Sequence, residues 1–93
     1  MKVRDYIESV AESCDTSSIL LSEEFDSSII GIQYKDDFVL TVYSELKVLD
    51  CLMENMDCDR TSALEYFEYN IENAYLGAGS PVFIDDTFIG VLN

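Results

Sequence analysis

Ile29-Ile-Gly-Ile-Gln-Tyr34 and Phe38-Val-Leu-Thr-Val-Tyr43, parted by Lys35-Asp36-Asp37, decide the fold class. Both runs are rich in β-branched and aromatic residues, and the polar triplet between them is a tight turn, so the stretch predicts a β-hairpin. Alternation places Ile30, Ile32 and Tyr34 on one face, and Phe38, Leu40 and Val42 on one face of the partner strand. Gly31 marks a bulge or a close approach. Helical spacing takes over on either side. Val3, Ile7, Val10 and Ala11 predict a helix over 2–13 that ends at the short polar run Cys14–Ser18. Ile19-Leu20-Leu21 reads as a short strand, followed by a charged connection over 22–28 with Phe25 as its anchor. A second helix is expected from Ser44 to Met56, with Leu46, Leu49 and Met53 inward, widened by Val48, Leu52 and Met56. Glu45 sits in its first turn, where the backbone dipole favours a carboxylate.

The third helix starts at an N-cap supplied by Asp59, or by Ser62 with Glu65 in a capping box, and runs to Leu76. Leu64, Phe67, Ile71 and Ala74 form its expected core stripe. Gly77 ends it in a left-handed conformation, and Pro81 prevents resumption. Val82–Ile84 and Phe88–Leu92 then read as a closing strand pair turned by Asp85-Asp86-Thr87. The expectation is one α+β domain over residues 1–93. It has an antiparallel sheet of about 4–5 strands with three helices packed on it, in the order α-β-β-β-α-α-β-β.

Nineteen Asp and Glu oppose five Lys and Arg, for a formal charge of −14, and there is no histidine. Ser-His and Cys-His nucleophilic pairs are therefore impossible, and carboxylates are so abundant that no one pair stands out as an acid–base couple. No catalytic residue is assigned, and the chain is read as a non-enzyme without a cofactor. Asp57-Cys-Asp59 does not extend into a calcium-loop pattern, and Cys14, Cys51 and Cys58 lack the spacing of a zinc site, so no metal is expected. The cysteines are read as buried free thiols of a reducing compartment. No apolar run approaches the ~20 residues of a membrane span and no signal peptide is visible, which predicts a soluble, cytoplasmic protein without a membrane partner. Direct nucleic-acid binding is disfavoured by the charge.

What remains is the acid itself. Glu65, Glu68 and Glu72 repeat at i, i+3 and i+7 along one helix side, and Asp50 and Glu54 extend a negative surface on the neighbouring helix. Residues 61–93 contain no Lys or Arg. An ordinary solvated helix interleaves both signs, whereas a row of carboxylates offers a basic groove a field like that of a nucleic-acid backbone. Tyr66, Tyr69 and Tyr75 beside the acids suit either packing or a protein interface.

From Phe38 onward the chain resembles a family of small uncharacterised phage and prophage proteins. The matching residues are Val42-Tyr43, Leu46 to Met53, Ala63, Glu65, Phe67-Glu68-Tyr69-Asn70, Tyr75, Gly77, Gly79 and Pro81-Val82-Phe83-Ile84, roughly half the chain. Glu-Tyr-Asn ahead of the Gly and Pro is the most specific part. The resemblance implies a phage or mobile-element origin, with Asn70 as a structural amide, and it carries no activity. Combined with the charge, it leads to a phage-type binding protein. Such a protein acts in the host cytoplasm and docks Glu65, Glu68, Glu72, Asp50 and Glu54 on a basic surface of a host nucleic-acid-binding defence protein. The alternative is an accessory or structural phage protein acting as a homo-oligomer, such as a homodimer, without charge mimicry.

Overall fold

The computed structural model describes residues 2–74, 77 and 79–89. Helix α1 (Val3–Ser13) is followed by an irregular segment and a 3-10 helix (Glu23–Ser28). Strands β1 (Ile29–Lys35) and β2 (Phe38–Ser44) form the expected hairpin, helices α2 (Glu45–Met56) and α3 (Arg60–Tyr66) come next, and β3 (Val82–Ile84) closes the order. Asp36 makes the hairpin turn with φ of 53°, the left-handed conformation that Asp tolerates better than most residues. A register shift between Ile29 and Gly31 places the bulge at the expected glycine.

The expected antiparallel sheet of four to five strands is incorrect. Among the described residues the sheet has three strands in the order β1-β2-β3, and it is mixed: β1 pairs with β2 antiparallel, and β3 pairs with β2 parallel. The connection from β2 to β3 explains this. Parallel neighbours need a long crossover, and α2 and α3 supply it. Nor do Phe88 and Ile89, the described residues of the second expected strand, pair with β3, since Asp86 turns back to serve the start of α2 and Asp85 closes a local turn on Thr87. Thr87 and Phe88 lie in a turn, Ile89 N–H donates to the Asp86 carbonyl at 3.1 Å, and the rest of that expected strand, 90–92, lies outside the described residues.

Ile19–Leu21 is not a strand either. Leu21 N–H donates to Tyr43 Oη at 2.8 Å, so a side chain takes the place of a ladder partner. The charged connection after it winds into the 3-10 helix, which buries Phe25. Helical turns beyond the three α-helices thus add to the expected helix count. Arg4 ties this segment to α1, with bonds from Nε and Nη2 to the Asp26 carboxylate at 2.9 Å and from Nη2 to the Leu21 carbonyl at 2.8 Å.

Residues 39–44 are all buried, so β2 is covered on both faces rather than alternating. The core gathers Leu21, Phe25, Tyr43, Val48, Leu49, Leu52, Ala63, Phe67 and Ile71, with Phe83 of β3 against it. On α2 the buried stripe is Val48, Leu49 and Leu52, with Leu46 and Met53 at its margin and Met56 exposed. On α3 the stripe runs through Ala63 rather than Leu64, which is 37% exposed. The expected buried thiols also need correcting: Cys14 is exposed, while Cys51 and Cys58 are half-buried, and all three are free. No helix among the described residues is long and apolar enough to cross a membrane.

Candidate functional site

Asp59 caps α3 as expected, its Oδ1 accepting from Ser62 N–H at 2.9 Å. The helix does not run uniformly to Leu76. After Tyr66 the chain makes a π turn over Phe67–Ile71 and a 3-10 turn over Glu72–Ala74, while Tyr75 and Leu76 lie outside the described residues. Asn70 belongs to this π turn. Its Nδ2 donates to the Tyr66 carbonyl at 3.3 Å, so the amide works within its own helix. Gly77 then adopts φ of 109°, as its place after the helix predicts.

Glu65, Glu68 and Glu72 are all exposed, and the charge of Glu72, just past the π turn, acts on Glu45 at the start of α2. Asp50 and Glu54 lie opposite the buried stripe of α2 and are exposed. Lys47 lies on that same side and is exposed, so the α2 surface mixes both signs. All five expected contact residues reach solvent. Among the described residues the ion pair is Arg4–Asp26, so none of the five carboxylates is neutralised by a nearby cation.

A second acidic cluster forms at the N-terminus of α2. β3 runs parallel to β2 with Ile84 beside Ser44, and this brings Asp85 and Asp86 onto the helix start. Asp86 accepts from Ser44 Oγ at 2.5 Å and from Leu46 N–H at 2.9 Å, while Ser44 Oγ accepts from Lys47 N–H at 3.2 Å. Two residues about forty apart in sequence thus cap one helix. Burial opposes ionisation of Asp86, but the Ser44 and Leu46 bonds outweigh it and hold its pKa below the usual 3.8. Asp85 Oδ1 accepts from Thr87 Oγ1 at 2.7 Å and from its N–H at 3.2 Å, and these bonds lower its pKa.

Glu45 has the opposite fate. Partial burial first, then the charge and hydrogen bond of Asp85 and the charges of Glu72 and Asp86, raise its pKa from 4.5 to about 7. The helix dipole favours the charged form of this residue, and burial together with three neighbouring carboxylates overrides it. Folding therefore favours the protonated form. This contribution to stability is fully present below pH 4.5 and is lost as the pH rises through about 7. Glu45→Gln should raise the urea midpoint at pH 8 and flatten the decline of stability between pH 5 and 8. An unchanged slope would show that Glu45 titrates normally.

Beside the acidic surface lies a cleft of about 240 Å³. Phe25, Leu52 and Ile71 lie in its lining, together with Tyr66, Asn70 and Glu24. Sequence reasoning named Tyr66 and Asn70 but not Glu24, whose position depends on the unexpected 3-10 helix. No protein-family model, curated protein or solved structure matches this chain.

Proposed function

We propose that this chain is a non-enzymatic inhibitor of phage type. It docks its acidic surface on a basic, nucleic-acid-handling site of a host defence protein in the host cytoplasm and competes there with DNA or RNA. The observation that carries this reading is the set of exposed carboxylates Glu65, Glu68, Glu72, Asp50 and Glu54, none neutralised by a cation among the described residues, on a chain of charge −14. Leaving such acids unpaired raises self-repulsion in the compact state, and a cationic partner removes that cost on docking. The resemblance of the segment from Phe38 to Ile84 to phage proteins supports the origin. The cleft beside the acids fits the mode of contact: the ring of Tyr66 and the carboxylate of Glu24 suit a guanidinium or ammonium group, with apolar lining for its stem.

The E65Q/E68Q/E72Q variant removes three charges from exposed positions and keeps their shape. Partner affinity should fall about 10- to 100-fold, the sum of three interface charge pairs, while the circular dichroism spectrum is unchanged. Calorimetric titration of a partner captured from host lysate measures this directly. Equal affinity of the variant and the parent chain would remove charge mimicry as the mode of binding.

A further inference from the structure

We infer that the open edge of β1 and the adjoining side of α1 form a self-association surface that pairs two copies of this chain. Among the described residues β1 is an edge strand with β2 on one side only, so every second residue turns its amide and carbonyl outward, away from the sheet. Between this strand and α1 lies a groove of about 440 Å³ lined by Val3, Tyr6, Ile7, Ile30, Ile32 and Tyr34. Four of these side chains stand in solvent: Val3 is 39% exposed, Tyr6 53%, Ile30 47% and Tyr34 65%. Edge strands that avoid pairing place proline or charges along their length, and β1 has only Lys35, at its end.

Charge selects the occupant. Residues 2–13 and 29–35 contain three bases (Lys2, Arg4, Lys35) and three acids (Asp5, Glu8, Glu12), and so are neutral. The whole of the −14 resides on the remainder of the chain. Two like-charged copies meet with least repulsion through this neutral side, which is also the side with an open strand edge and exposed aromatics. Antiparallel pairing about a two-fold axis through residues 32–35 sets Lys35 of one copy beside Ile32 of the other and keeps the two Asp36–Asp37 turns apart. The bulge at Ile29–Gly31 confines regular pairing to the residues after it.

The four exposed side chains offer on the order of 400 Å² per copy, and backbone and Lys stems bring the total near the ~1,000 Å² at which specific interfaces begin. The dimer is accordingly weak, and it leaves the carboxylates of α2 and α3 free.

Sedimentation velocity over a concentration series tests this. The association constant should rise about tenfold between about 50 mM and 500 mM salt, because screening removes the repulsion of two anions. Tyr34→Asp places a charge on an exposed side chain and should weaken association at least about tenfold without changing the circular dichroism spectrum. The E65Q/E68Q/E72Q variant should dimerise at least as well as the parent, so loss of partner binding and loss of dimerisation are separable results. A chain that stays monomeric at millimolar concentration in high salt, or a dimer indifferent to Tyr34→Asp, overturns the proposal. Binding of an extended peptide in the groove of such a monomer would assign it to a different occupant.

Discussion

Phe67→Ala should lower the unfolding free energy by about 3–5 kcal/mol, a large share of the ~5–15 kcal/mol that holds a domain of this size together. Phe67 is fully buried at the start of the π turn. Its ring meets Phe83 edge-on at 5.1 Å and 87°, and Phe83 in turn stacks on Tyr43 at 5.7 Å and 27°. This aromatic chain joins the third helical segment to β3 and β2, so its loss opens a cavity where three elements meet. Urea unfolding followed by circular dichroism measures the effect. Leu64→Ala is the informative comparison, because helical periodicity alone places both residues in the core. With Leu64 37% exposed, its replacement should cost less than about 1 kcal/mol. Similar losses from the two substitutions would contradict the burial pattern of α3.

Asp86→Ala should cost about 2–3 kcal/mol. The carboxylate accepts from the buried Ser44 hydroxyl and from Leu46 N–H, and alanine leaves both donors without this partner at the start of α2. Asp86→Asn keeps one acceptor oxygen and should recover part of the loss. The pH dependence identifies the mechanism. Because its folded pKa is lowered, Asp86 contributes stability above its ordinary value of 3.8, and that contribution disappears as the pH falls through the lower folded value. Glu45 acts in the opposite sense at higher pH. The parent chain should therefore be most stable at about pH 4 to 4.5, between the two transitions. In Asp86→Ala the acid limb should be shallower, while the limb attributed to Glu45 should persist in weaker form, since one of the charges acting on it is gone. An acid limb as steep as the parent's would show that other carboxylates govern it.

Local chemistry was legible in the sequence, and long-range geometry was not. The β1–β2 hairpin follows from β-branched runs around a polar turn, the Asp59 cap from its place before α3, and the end of the third helical segment from Gly77. β3 is only three residues long, too short for a periodicity to reveal a parallel mate, and the paired expectation for Asp85–Thr87 missed that Asp86 serves a helix about forty residues earlier. Ile19–Leu21 has strand composition, but the Tyr43 hydroxyl takes the Leu21 amide. The five candidate contact residues were readable as solvent-facing because helical spacing reports which side is polar. The π turn at Phe67–Ile71, which interrupts the regular helix that the row assumes, was not readable, nor was the reach of the Glu72 charge to Glu45. The raised pKa of Glu45 has the same origin: no neighbour in sequence causes it.

The acidic cluster at α2 and the exposed carboxylates have different roles. Asp85 and Asp86 are engaged in hydrogen bonds that fix β3 and α2 in place, whereas Glu65 and Glu68 make no comparable bond among the described residues. Structural acids thus sit at the junction of the fold, and the unpaired ones face outward.

A competition titration tests charge mimicry most directly. The captured basic partner is loaded with a labelled duplex, and the parent chain or E65Q/E68Q/E72Q is added at low and at high salt. Charge mimicry predicts that the parent displaces the duplex, that the variant requires about 10- to 100-fold more protein, and that the parent's own affinity falls steeply with salt. A parent chain that binds the partner without displacing the duplex, with an affinity indifferent to salt and to the three substitutions, contradicts it.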